Sequence, residues 1–179
     1  MVTGLIRCGA GWLTFPDGRS VKAVVGRSGL IAAADKREGD GATPIGSWPL
    51  RRVWWRQDRL VAAPVTALPL RAIARDDGWC DAPGDPAYNR PVRLPYGASA
   101  ENLWREDGLY DVGVELGHND APPIPGLGSA IFLHVALPDR PHTQGCVALA
   151  LCDLLDLLAA LPADCALSVE GDQPAAGSG

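Results

Sequence analysis

Apolar and polar residues alternate along most of this chain in short runs, and turn-forming residues separate the runs. Residues 11–15 and 20–26 read as two strands of a hairpin, because Pro16-Asp17-Gly18-Arg19 between them supplies a preset φ and then a permissive glycine. Strand-like stretches follow at residues 48–55, 65–74 and 109–117, and residues 165–170 read as a last strand. Residues 131–135 are continuously apolar apart from His134, which suits a strand buried on both faces. One segment has a helical period. Leucines at 151, 154, 155, 158 and 161 share one face of a helix over residues 150–161, and Pro162 ends it.

Residues 35–43 form a polar, glycine-rich loop, and residues 122–126 a proline-rich connection. Residues 76–100 carry Gly78, Pro83, Gly84, Pro86, Pro91, Pro95 and Gly97, which break any regular element and predict a long irregular, lid-like insertion. The expected architecture is mostly β, one domain over residues 1–171 with one main helix, and a disordered tail over residues 172–179.

At 179 residues and 47% hydrophobic, the chain can bury a proper core. A net charge of −5 with no basic block argues against a nucleic-acid partner. The longest apolar run, residues 147–161, is interrupted by Asp153 and Asp156, so no membrane span is expected. Residues 1–7 have neither a basic start nor a long apolar stretch and do not read as a secretory signal. The five cysteines form no Cys-x-x-Cys pair, and their odd number leaves at least one thiol free in a monomer, the state expected here. Cys8, Cys80, Cys152 and Cys165 suit small buried hydrophobes; Cys8 and Cys165 sit in strands at opposite ends of the chain, and nothing in the sequence pairs them.

Cys146 is different. It ends Thr143-Gln144-Gly145-Cys146, twelve residues after His134. An imidazole beside a thiol can take its proton and hold the thiolate ready, and a glycine before it permits a sharp turn whose N–H groups suit an oxyanion. Taken singly, a cysteine and a histidine more often serve a core; the strand–loop–turn–helix order around both favours catalysis. A metal site built from His134, His142, Cys146 and His118 matches no compact zinc spacing, and no cofactor is expected. Six tryptophans stand against two phenylalanines. Trp79, Tyr88 and Trp104 could pack on a substrate from the insertion while Asn89, Glu101 and Asn119 bond its polar groups. Glu101 or Asp111 could meet an ammonium group.

His134-Val135, Thr143-Gln144-Gly145-Cys146-Val147 and the upstream Thr43-Pro44-Ile45-Gly46 together resemble the L,D-transpeptidase family with the YkuD-type catalytic domain. The likeness extends over roughly residues 20–170. It implies a β-sandwich or barrel and an enzyme that cuts the L,D bond of a peptidoglycan stem peptide. The donor would be held as a thioester on Cys146 and passed to an amine of a second stem. It also implies His134 as base, backbone N–H groups of Gly145 and Cys146 as oxyanion donors, the Val135 carbonyl as the group that orients the imidazole, and a place of action in the periplasm or cell envelope. Thr143, Gln144 and Val135 would line the substrate site. The chain departs from the family pattern in three places: Gln144 stands where many members have His, Ala148 where many have Arg, and the interval from His134 to Cys146 is short. Arg140, Arg93 or Arg90 could replace the missing charge, with Arg140 favoured by its place in the loop between the two catalytic residues. A changed acceptor site could suit a cross-link between third and first stem positions. Water in place of the amine would make the enzyme an L,D-carboxypeptidase or amidase, and an idle Cys146 would make the chain a cell-wall binding module.

Overall fold

The computed structural model describes residues 4–9 and 11–171. The expected tail at 172–179 lies outside the described residues. The strands are β1 (Gly4–Gly9), β2 (Trp12–Thr14), β3 (Ser20–Lys22), β4 (Leu30–Ala32), β5 (Thr43–Trp55), β6 (Leu70–Ala72), β7 (Asp77–Cys80), β8 (Arg90–Arg93), β9 (Ala100–Asn102), β10 (Val112–Leu116), β11 (Phe132–Val135), β12 (Val147–Leu149) and β13 (Cys165–Val169); the helix α1 (Leu151–Ala160) lies between the last two.

The large sheet runs β12-β11-β10-β5-β13-β1-β2-β3, with β4 and β6 also on β5. β5 is its spine. Its first half pairs antiparallel with β13 and its second half with β10. Pro44 and Gly46 disguise the start of this strand in the sequence. Here Pro44 and its neighbours pair in parallel with β4, so β5 begins five residues before the expected strand. Beyond β3 the chain bends, and Val24 exchanges both backbone hydrogen bonds with Ala148 of β12 (2.9 and 2.8 Å). Gly26 forms a parallel bridge to Thr143, in which the Arg27 N–H donates to the Thr143 carbonyl oxygen (2.9 Å) and the Thr143 N–H to the Val25 carbonyl oxygen (3.0 Å). These contacts join the two ends of the sheet, so it nearly closes into a barrel. Gly26 is needed at this seam because a Cβ there would overlap the Gly41 carbonyl oxygen and sit 2.9 Å from the Thr43 nitrogen.

The barrel interior is filled by alternate residues of its strands, among them Ile6, Leu13, Val53, Val114, Leu133, Val147 and Leu167. α1 covers one opening with Leu154, Leu157, Leu158 and the following Leu161. The apolar face is therefore centred on Leu157 as well as the expected leucines, and Leu151 and Leu155 lie at its margin. Cys8 and Cys165 occupy neighbouring strands, but Cys8 faces Val169 and Cys165 faces Gly4, and both thiols are free.

The irregular insertion expected at residues 76–100 is a correction. It contains β7 and β8, which with β9 form a three-stranded antiparallel sheet in the order β8-β7-β9. The breakers fall where a small sheet tolerates them: Pro91 is on an edge strand, where its missing N–H breaks no central ladder, and Gly84 and Pro86 lie in the connection. This sheet packs Trp79 and Leu103 against Trp54, Tyr110 and Phe132, forming a second apolar cluster outside the barrel. Phe132 meets Trp54 and Trp79 edge-on at 4.9 and 5.1 Å. The strand expected over 65–74 is confined to β6.

Gly26→Ala should lower unfolding stability by about 1–3 kcal/mol through the forced shift at the seam. Gly84→Ala, where an added Cβ meets nothing within 4 Å, should change it by no more than about 0.5 kcal/mol. Urea titration of both variants checks this; equal stabilities would contradict the closure described.

Candidate active site

β11 sends Leu133 and Val135 into the barrel core and Phe132 and His134 to its other face, where the second cluster and a cleft lie. β12 runs parallel to β11 with Leu133 opposite Val147 and His134 opposite Ala148. That register brings Cys146, one residue before β12, level with Phe132. The Phe132 N–H donates to Cys146 Sγ (3.3 Å), and the thiol donates to the Ala130 carbonyl oxygen (3.2 Å). Ala130 has a φ of 52°, held by its N–H bond to Asn89 Oδ1 (3.1 Å).

The turn into Cys146 is fixed by two threonines. Thr143 Oγ1 accepts the Gly145 N–H (3.1 Å) and donates to the Cys146 carbonyl oxygen (2.7 Å). Thr43 Oγ1, from the start of β5, donates to the same carbonyl (3.2 Å) and accepts the Gly26 N–H (2.9 Å). Gly145 has a φ of 132°, and a Cβ there would come within 2.9 Å of the Ala42 carbonyl oxygen. A side chain at 145 is thus excluded by conformation and by space. The Gly145 N–H is already engaged by Thr143.

His134 Nδ1 lies 2.9 Å from the Val135 carbonyl oxygen. A carbonyl can only accept, so Nδ1 carries the proton and Nε2 is the basic nitrogen. Tyr110 meets the imidazole edge-on at 5.5 Å. Burial pushes the imidazole pKa down to about 4, against the Val135 bond, which favours the charged form. Burial, and then the charge of Glu101, push the Cys146 thiol up to about 12. At neutral pH the two groups therefore rest as thiol and neutral imidazole.

Both line a cavity of about 320 Å³, together with Thr143, Gln144, Val135 and Arg140. Ala148 is part of its wall beside Val24. Arg140 bonds Asp107 (2.9 Å), whose carboxyl is held down to about 2 by its hydrogen bond to Arg105, with Arg140 adding to the effect. Arg93 pairs with Asp76 and Asp77, and Arg90 donates to the Asp120 carbonyl; neither lines this cavity.

Tyr88, Asn89, Trp104 and Asn119, expected to meet a substrate directly, do not line the cavity. Each is committed to contacts inside the protein. Tyr88 donates its hydroxyl proton to the Glu38 carboxylate. Asn89 accepts from Trp79 Nε1 (2.9 Å) and donates to the Asn119 carbonyl oxygen (2.7 Å). Asn119 ties its loop to Ile124 and Gly128. Trp104 lies under the Arg56 guanidinium, 3.6 Å from ring to charge. Asp111 pairs with Arg59 away from the cavity. His118 packs edge-on against Trp48 and contacts the Leu127 carbonyl, and among the described residues no group of three or more His, Cys, Asp or Glu could hold a metal ion. Thr43 and Ala130 were missed as site residues by sequence reasoning. Thr43 had a signal in its Thr-Pro-x-Gly setting, whereas Ala130 acts through its backbone and had none.

The sequence matches the YkuD family, the L,D-transpeptidase catalytic domain, over residues 11–169. The chain belongs to this family. Among solved structures, the helical cell shape determining protein Pgp2 from Campylobacter jejuni is similar at 14% identity with a TM-score of 0.46, and a point mutant of it at 16% with 0.47. Each alignment covers 96% of this chain and 48% of the other, so the chain spans about half the length of those proteins. No match is found among curated proteins. Among the described residues no helix is long and apolar enough to cross a membrane.

With the thiol pKa raised, the reactive thiolate is scarce at neutral pH and grows as pH rises. Alkylation of Cys146 by iodoacetamide, followed by peptide-resolved mass spectrometry, should quicken about tenfold per pH unit from pH 6 to pH 10. A plateau reached below pH 8 would show a thiolate–imidazolium pair instead.

Proposed function

We propose that this L,D-transpeptidase-family chain uses Cys146 to attack the L,D-linked carbonyl of a peptidoglycan stem peptide, holds the acyl group as a thioester, and transfers it to an amine of a second stem. The observation that carries this reading is the 2.9 Å contact of His134 Nδ1 with the Val135 carbonyl oxygen. The Nδ1–H is committed to Val135, which leaves Nε2 unprotonated on the wall of the cavity that holds the thiol.

The mechanism follows from the neutral resting pair. The thiol gives its proton to Nε2 as the S–C bond forms, and charge appears only when a carbonyl is in place to receive it. The negative oxygen of the tetrahedral intermediate takes a hydrogen bond from the Cys146 N–H, since the Gly145 N–H is engaged by Thr143. The imidazolium then protonates the leaving amine, the C–N bond breaks, and the thioester remains. A second amine reverses these steps. The family pattern often places an arginine where Ala148 stands. Arg140 is the replacement that lines the cavity, and it would bind a stem carboxylate at the expense of its bond to Asp107. This chemistry belongs in the cell envelope, where such stems are found, and a cross-link between third and first stem positions is one acceptor geometry it would serve.

Incubation with a purified disaccharide-tetrapeptide, followed by mass spectrometry, tests the reading. The wild type should yield an acyl adduct on Cys146 and an amide-linked dimer. Cys146→Ser should yield neither while remaining folded, and His134→Ala should slow acylation by about 10²–10⁴-fold. Trimmed stems without dimer would make water the acceptor. Turnover by folded Cys146→Ser would remove the nucleophile assignment.

A further inference from the structure

The cavity that holds Cys146 is also lined by Asp81, Glu101 and Ser129. None has a part in the acylation described above. Glu101 is on β9, and Asp81 directly follows β7, the strand that pairs with it. The Asp81 N–H donates to the Ser99 carbonyl oxygen (3.2 Å), which keeps the two segments together. Glu101 Oε1 accepts the Tyr110 hydroxyl proton (2.6 Å) and lies 4.0 Å from Arg105 Nη1. Both contacts fall on the same oxygen, and neither commits the other. Asp81 Oδ1 is buried with no hydrogen-bond partner, whereas the Ser129 hydroxyl, on a residue only 7% exposed, lies against the Tyr88 hydroxyl. Buried polar atoms are nearly always bonded, so an orphaned Asp81 oxygen in the cavity that also holds the uncommitted oxygen of Glu101 marks a site lacking its ligand. What the two carboxylates lack in common is a donor, and their charge requires it to be positive. The cations of the same cavity are already taken, Lys36 by Asp40 and Arg140 by Asp107.

We propose that Glu101 and Asp81 bind the primary ammonium group of the acceptor, and that Glu101 takes its proton. This rests on the transpeptidase reading and names the acceptor half of that site. An ammonium cannot attack a thioester until it becomes an amine. Glu101 accepts one proton from it, and the freed lone pair attacks the thioester carbonyl carbon. The C–N bond forms and the new nitrogen loses a second proton to His134 Nε2. The C–S bond breaks, and the departing thiolate recovers that proton from His134 as the thiol. Glu101 releases its proton to solvent, so one amide, one thiol and one proton leave the step. Burial raises the Glu101 pKa, which narrows its gap to an amine and makes it a better proton acceptor than an exposed carboxylate. Tyr110 is a positioning residue here, holding Glu101 through Oε1.

The test is a competition within one acyl-enzyme. The full chain is given disaccharide-tetrapeptide as donor. A second tetrapeptide, whose amine is charged, and hydroxylamine, uncharged at neutral pH, compete as acceptors. The ratio of amide-linked dimer to hydroxamate is read by mass spectrometry. In Glu101→Gln this ratio should fall by about 10-fold or more, whatever happens to acylation, because a charge-assisted bond and the proton acceptor are both lost. Asp81→Asn breaks no hydrogen bond made by Oδ1, so it serves even where Glu101→Gln fails to fold, and it should lower the ratio several-fold. An unchanged ratio in both variants, or an equal loss with both acceptors, overturns the ammonium site and leaves the transpeptidase reading intact. A wild type that forms no acyl-enzyme overturns both.

Discussion

Parallel hydrogen bonding between β11 and β12 sets His134 against Ala148 and brings Cys146 level with Phe132. Without that register the His134 imidazole and the Cys146 thiol would have no fixed relation, since eleven residues lie between them. The barrel seam holds the register from the far side. Val24 bonds Ala148 in both directions, and Gly26 ties to Thr43, whose hydroxyl reaches the Cys146 carbonyl oxygen. Closing the sheet and positioning the Cys146 thiol are therefore one set of bonds. A change that opens the seam frees the turn at 143–146.

Burial supplies the second half of the design. A thiol and an imidazole in an apolar setting both favour their neutral forms, which drives their pKa values apart, to about 12 and about 4. The Phe132 N–H and the distant charge of Lys36 favour the thiolate, but burial and Glu101 outweigh them. A thiol that stays protonated is protected from oxidation and stray electrophiles. The aromatic cluster of Trp54, Trp79, Tyr110 and Phe132 creates this dry wall. Trp79 of the small sheet and Trp54 of β5 thus act on the site through packing and dielectric.

Much of this was legible in the amino-acid order. The strand at 131–135, the Gly-Cys turn and the helix at 150–161 have local signatures: a continuous apolar run, a glycine before a thiol, and leucines at helical spacing. The small sheet was not legible, because its strands are only three or four residues long and carry Gly78 and Pro91. Short strands are set by their partners, and no local pattern reports a partner. The same limit hid the roles of Asn89 and Tyr88. Polar residues in a proline-rich segment suggest a substrate contact, whereas Asn89 in fact holds Ala130, which accepts the thiol proton. Thr43 lay in a recognisable stretch, yet its reach to Cys146 crosses 103 residues of chain.

The central claim is that His134 is a neutral imidazole with its proton on Nδ1 and its lone pair on Nε2. Two-bond ¹H–¹⁵N NMR of protein labelled in its three histidines measures this directly. Because the His134 pKa is lowered to about 4, the neutral form persists above that value. The account predicts a protonated Nδ1 and an unprotonated Nε2 throughout pH 8 to pH 5, with the signal lost in His134→Ala. An imidazolium spectrum at neutral pH, or a proton on Nε2, would contradict it.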